Sequence, residues 1–564
     1  MWDPIPFVFN TTQFLVNNHK FMARARYFFS YFNVHPRYRV LSSSLFLTCQ
    51  DRTILENASI TKFYLGPVPV YLVYGRQNIE AIFSRGLAHK IGHESIMVQK
   101  VFPVLYRMNK EEVGWFVNDK TGRKPVPRDP HEPKINRTPA RRYWLEYTNV
   151  HTNFLARETH IQPLGRVFER LFSKTLEEQY HEGQGEWSVK DLCRRTITGC
   201  AARTLLGPQV FELERTTGED LIDAFWNLDK HVFQLVLGFP RWFSPGAHKA
   251  QSHFLAKIAR YVDSAWAKFD WDAPGASELP WEPCFGARVC REICVWLREA
   301  GFRDEVSAGA LGTLLFAQNT NSVPTMMWML IEIAQDKDLQ QAIREEVLTA
   351  RSDESTDGLF DLQKLARLPL LQSVFSETLR LHMDFNLIRH VHEDGISMDL
   401  NIRSSTGATT GTARVAIPRD AMLQAPMAIA HYEEAAWAVP GHPASEFWAE
   451  RHIKYADSDA ADGSKANKKR VYALSGRPSS FFPFGGGETI CPGRHLAKHQ
   501  IFIVCALIVS QYELECAGWV TNGGRTSSRP GQNDRKFAGA GALPPDRDMK
   551  IRWRKIQQGS TTPR

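Results

Sequence analysis

The stretch 481–494, FFPFGGGETICPGR, constrains this chain more than any other. Its three consecutive glycines let the backbone approach a flat ligand closely, because no Cβ stands in the way. Cys491 follows four residues after Gly487, and Pro492 and Gly493 come next. From Leu496 on, AKHQIFIVCALIVSQYELE reads as one long apolar-faced helix. The cysteine therefore sits at the mouth of a helix, where backbone N–H groups and the dipole favour a thiolate over a thiol. A thiolate on a tight glycine loop is placed to ligate a metal. The alternative is a small buried hydrophobe following a turn.

Two helical stretches upstream carry further signals. A helix over about 305–336 contains FAQNTNSVP, with Pro324 inside it. Proline cannot donate to the carbonyl four residues back, here Thr320, so the helix is expected to open at that point. Polar groups at Thr320 and Asn321 would then be free to bind water, dioxygen or a substrate oxygen. The second stretch, 370–381 (LLQSVFSETLRL), places Glu377 and Arg380 three apart, on one helix face where they can pair. Arg389 and then Arg451 follow, ahead of the cysteine loop.

The pattern Phe484-x-x-Gly487-x-x-x-Cys491-x-Gly493 resembles the haem-binding signature of the cytochrome P450 family. The resemblance covers roughly residues 60–554. It implies a mainly α fold with small β-sheets, in which Cys491 is the thiolate ligand of haem b iron. Phe484, Gly487 and Gly493 would shape the binding loop. The order Glu377, Arg380, Arg451 matches the family's buried Glu–Arg–Arg network, read here as structural. Arg389 is the candidate partner of a haem propionate, since guanidinium suits carboxylates. The family commonly has a second basic residue two places before the cysteine; this chain has Thr489 there. In place of the family's acid–threonine pair on the central helix it has Thr320 and Asn321, which puts the usual proton delivery in doubt. The Asn and Pro of that helix, with Trp328 beyond, are similar to the branch of sterol 7α- and 12α-hydroxylases and prostacyclin synthase.

The resemblance implies a monooxygenase acting on a small apolar substrate, a sterol, terpenoid or other specialised metabolite. Electrons would come from NADPH through NADPH–cytochrome P450 reductase, docking where Arg494, His495, Lys498 and His499 supply positive charge. A rearrangement of a peroxide, by an isomerase or dehydratase that needs no reductase, is the competing reading. A haem-binding sensor without catalysis is the third.

Composition narrows this further. The net charge of +8, from 69 basic and 61 acidic residues, is mild and dispersed, so nucleic acid is not an expected partner. Nine cysteines form no CxxC pair and no disulfide framework, which fits a reducing compartment. Cys290 and Cys294, one helical turn apart, read as packing residues. No run of 18 apolar residues occurs, so no membrane-spanning helix is expected. A peripheral contact with the cytosolic face of the endoplasmic reticulum, or a cytoplasmic location, follows from the resemblance.

The expected organisation is an N-terminal region over 1–60 that is membrane-surface or unassigned, one haem-thiolate domain over 61–554 and a disordered tail over 555–564. Within the domain, 62–74 reads as a hairpin, 77–84 as a helix and 144–350 as mostly helical. A Pro/Trp-rich break at 273–283, a Lys-rich insertion between Tyr455 and Arg477 and a Gly-rich stretch at 519–541 read as solvated loops. A closing strand is expected over 543–553.

Overall fold

The computed structural model describes residues 60–65, 68–73, 75–88, 90–125, 139–180, 185–217, 220–353, 358–392, 395–403, 409–456, 469–474, 479–537 and 540–556. The expectations for 1–59, most of the Lys-rich insertion and the tail from 557 lie outside these residues. The chain divides into two compact units.

The first unit takes the chain up to Ser95, then Ser373–Cys491 and Asn533–Pro544. Its main sheet begins with the expected hairpin, Ile60–Leu65 antiparallel to Val68–Val73. Met422–Pro426 adds in parallel to Val68–Val73 and antiparallel to Met383–Val391. β-Branched and aromatic residues supply the half-buried faces that such strands need. In this sheet Arg389 stands opposite Leu423. Ala540–Ala542 pairs with Met383–Phe385, and His382 Nδ1 lies 2.7 Å from Asn533 Oδ1. The end of the Gly-rich stretch is therefore built into the sheet. Glycine there suits strand pairing at close quarters, and composition alone had read it as a loop.

The second unit, Ile96–Gln372 with Pro492–Gln532 and Pro545–Arg564, is mostly helical. Its longest element is the central helix Asp304–Gln335. Asp304 and Glu305 in the first turn complement the helix dipole. Gly309 is required by packing, since a Cβ there would stand 2.4 Å from the Tyr106 carbonyl oxygen. Helical assignment runs unbroken through Pro324, so the expected opening at Thr320 reduces to the missing proline N–H. Neighbouring hydroxyls brace this turn. Thr320 Oγ1 donates to the Phe316 carbonyl at 3.0 Å and Thr325 Oγ1 to the Asn321 carbonyl at 2.8 Å.

The helix after the cysteine begins at Arg494, two residues earlier than its apolar pattern suggested, and runs to Gln511. Tyr512–Thr521 continues from it and pairs antiparallel with Arg547–Lys555, the closing strand, which extends beyond the expected end. Tyr180, Trp187, Tyr512 and Trp553 pack their rings together behind this ladder. The break at 273–283 is more than a surface loop. Trp281–Glu282 pairs with Gly286–Ala287, and the Glu282 carboxylate accepts from the Cys284 and Phe285 backbone N–H groups. Cys290 and Cys294 are buried, and burial pushes the Cys294 thiol up to about 12, as packing residues require.

Candidate active site

The glycine loop presents its cysteine through local backbone geometry. Gly485 and Gly487 adopt φ of 73° and 68°, in the left-handed region that favours glycine. Gly486 is needed for a different reason: a Cβ there would come within 2.6 Å of the Phe83 ring. The Cys491 N–H donates to the Phe484 carbonyl at 3.0 Å and closes the loop. Gly493 then caps the helix Arg494–Gln511. Among the described residues Cys491 is the exposed cysteine, whereas Cys193, Cys200, Cys290, Cys294 and Cys505 are buried. Desolvation holds those buried thiols protonated, Cys505 up to about 12.

Aromatic rings fix the chain on either side of the loop. Phe484 packs near Phe375, with ring centroids 6.5 Å apart, and Phe482 meets Phe83 edge-on at 5.7 Å. His431 stacks on Phe481, and its burial lowers its pKa to about 3, so it is neutral. Sequence reasoning did not single out His431. Its signal, a lone histidine in an Ala-rich segment, carries no pattern.

Arg389 reaches the same loop. Its side chain is only 8% exposed. Nη2 donates to Thr489 Oγ1 at 2.6 Å and to the Gly486 carbonyl at 3.3 Å, while Nη1 donates to the Ile388 carbonyl at 2.9 Å. The threonine that stands where the family has a base thus holds the arginine that would do a base's work.

Glu377, Arg380 and Arg451 come together with no solvent exposure of their side chains. Arg380 makes a fork to Glu377, Nε to Oε2 and Nη2 to Oε1, both at 2.8 Å. Arg451 Nε donates to Glu377 Oε1 at 2.7 Å. The remaining guanidinium protons capture backbone carbonyls. Arg380 takes His431 at 2.8 Å, and Arg451 takes Trp437 at 2.6 Å, Pro443 at 2.9 Å and Glu446 at 2.8 Å. Burial alone would raise the Glu377 pKa, but the guanidinium and His452 bonds outweigh it and hold it at about 2. One carboxylate therefore organises the irregular chain from His431 to Arg451.

On the central helix, the residues between Val306 and Ile331 are buried except Thr313, Phe316, Ala317, Gln318, Thr320 and Asn321. Most of these recur at three- and four-residue spacing, so they form one accessible stripe along an otherwise buried helix. Thr320 and Asn321 lie on it, and Ala317 is exposed at mid-helix. Ser322, which the sequence reading passed over, lies buried, its hydroxyl donating to the Gln318 carbonyl.

The basic cluster after the cysteine is not an open charged face. Lys498 donates to Gln372 Oε1 at 2.8 Å, lies against the Phe502 ring, and is lowered to about 8 by burial. His499 is buried, and desolvation lowers the pKa values of both His495 and His499. Burial therefore weakens the positive charge expected at His495, Lys498 and His499. An amphipathic helix start buries every third or fourth residue whatever its type.

An exposed, loop-held thiol, with a nearly buried guanidinium bonded to the same loop, is a donor set that fits a haem, with a soft ligand for iron and a cation for a propionate. Fold and site together define a haem-thiolate protein. A family model described as Cytochrome P450 matches residues 148–521. The chain is 36% identical over 503 residues to cytochrome P450 monooxygenase calL of Penicillium decumbens, covering 89% of this chain and 87% of that protein. It is 30% identical over 404 residues to cytochrome P450 monooxygenase fsoE of Humicola fuscoatra, covering 66% and 64%. It is 26% identical over 264 residues to the human 7-alpha-hydroxycholest-4-en-3-one 12-alpha-hydroxylase, covering 46% and 47%. The chain belongs to the cytochrome P450 family, and with it to the monooxygenase class of oxidoreductases.

Proposed function

We propose that this enzyme inserts one oxygen atom from O₂ into a C–H bond of an apolar substrate, a sterol, terpenoid or other specialised metabolite. The observation that carries the reading is the exposed Cys491, whose backbone N–H donates to the Phe484 carbonyl on its glycine loop. Cys491 would ligate haem iron and Arg389 would pair with a propionate; the haem, when bound, supplies the oxygen-activating chemistry. Thr320 and Asn321, on the accessible stripe of the central helix, would order water and substrate oxygen. With an amide where the family has an acid, Asn321 can position a proton donor but cannot itself titrate. Glu377, Arg380 and Arg451 touch none of these atoms and act by fixing the chain that precedes the loop.

Electrons would come from NADPH through NADPH–cytochrome P450 reductase. No described helix is long and apolar enough to cross a membrane. A peripheral contact with the endoplasmic reticulum surface is supported by an aromatic patch. Trp242 is 83% exposed and Phe243 61%, with Phe233 and Leu237 also exposed nearby and Arg241 between. Aromatic rings flanked by cations suit the headgroup level of a bilayer.

The test is the reduced, carbon-monoxide-bound spectrum of purified protein beside Cys491→Ala. A red-shifted Soret band abolished by the substitution supports the ligand assignment; its absence from haem-replete, folded protein overturns it. Turnover dependent on NADPH and reductase then separates oxygen insertion from rearrangement of a peroxide, which would proceed without either.

A further inference from the structure

Through Gln318, on the accessible stripe, the central helix carries a polar chain whose two ends are buried and which has no part in the chemistry above. Asn319 is 1% exposed, as is Gln500 on the helix Arg494–Gln511. Asn319 Nδ2 donates to the Leu315 carbonyl at 2.9 Å and to Gln318 Oε1 at 3.4 Å. Gln318 Nε2 donates in turn to Gln500 Oε1 at 3.4 Å. Three side-chain amides thus run in line from one helix to the other, through two long hydrogen bonds.

Each end of the line carries a buried amide atom that no protein group meets. The acceptor Asn319 Oδ1 and the donor Gln500 Nε2 are buried atoms without a hydrogen-bond partner. His499 Nδ1, on the next residue, is a third such atom. Groups of this kind carry a full desolvation penalty unless something small reaches them. The neighbours along both helices are apolar: Leu315 and Val323 on one, Ile501, Phe502 and Ile503 on the other, each no more than 2% exposed. A donor at one end and an acceptor at the other call for a neutral molecule that can both give and take a hydrogen bond.

We infer that the contact between these two helices holds ordered water at both ends of this line, one molecule accepting from Gln500 Nε2 and another donating to Asn319 Oδ1. Water there completes the amide line and ties the central helix, at the turn weakened by Pro324, to the helix that follows the cysteine. The inference rests on the packing of these helices and not on the reaction assigned above.

The test uses the full-length, haem-loaded protein. A crystal structure at a resolution that shows waters is expected to place one within hydrogen-bond distance of Asn319 Oδ1 or Gln500 Nε2, and to lose it in Asn319→Leu/Gln500→Leu. The same double substitution is expected to lower Tm by several degrees in circular dichroism, with the carbon-monoxide spectrum retained. A dry site in the parent protein overturns the inference. So does a double variant that melts higher than the parent, since removing unsatisfied amides from a dry interface stabilises it.

Discussion

Arg389 Nη2 and Thr489 Oγ1 stand 2.6 Å apart, one on a central strand and the other two residues before Cys491. The hydroxyl accepts from a charged donor, and such bonds contribute about 1.5–3 kcal/mol. Thr489→Val is therefore expected to speed haem loss by roughly tenfold, and Arg389→Leu by more. Transfer of haem to an apoglobin acceptor measures both, and unchanged rates would show that Arg389 does not hold a propionate.

Glu377 is the carboxylate that pairs with two fully buried guanidinium groups, Arg380 and Arg451. Glu377→Ala leaves them uncompensated, a loss of about 3–5 kcal/mol by the cost of breaking a buried pair. Little soluble protein is expected from it. Arg380→Lys should not rescue the fold, because an ammonium cannot make the fork and reach the His431 carbonyl at once. Denaturant midpoints of the two variants check this; a lysine variant as stable as the parent would contradict it.

Acid should destabilise the protein in two stages. His382 and His431 are both lowered to about 3 by burial, so they stay neutral in the folded state while the unfolded chain takes up protons near 6.5. Stability is then complete above about pH 6.5 and falls below it, by about 1.4 kcal/mol per pH unit for each histidine. Glu377, held at about 2 against an ordinary 4.5, adds a second loss as pH falls through that lower window. Urea midpoints at pH 7.5, 6 and 5 should decline in that order, and His431→Gln should shallow the slope.

Trp242→Ser with Phe243→Ser should cut sedimentation with phosphatidylcholine/phosphatidylserine vesicles several-fold and leave the carbon-monoxide spectrum unchanged. Both rings are more than half exposed, so their loss costs the fold little. Equal binding by parent and variant would remove this patch from any membrane contact.

Local spacing made several features legible from the sequence. Cys491 after three glycines, Glu377 and Arg380 three apart on one helix, and the proline in the central helix are all patterns within a dozen residues. Helical and turn geometry fix what such patterns do before any distant partner arrives. The sequence also pointed to Thr320 and Asn321 through Pro324, but which face they share with Ala317 depended on what buries the rest of that helix.

Tertiary structure alone decided the remainder. Arg451 reaches Glu377 across 74 residues, and its worth lies in the carbonyls of Trp437, Pro443 and Glu446 that it captures on the way. Thr489 became a partner for Arg389 only when a strand a hundred residues upstream was laid beside it. Lys498 and His499 read as surface charge until packing took them out of water. Ala540–Ala542 read as loop until Met383–Phe385 offered it a ladder. Burial and pairing between distant segments set those outcomes, and a residue's type does not carry the identity of its eventual neighbour.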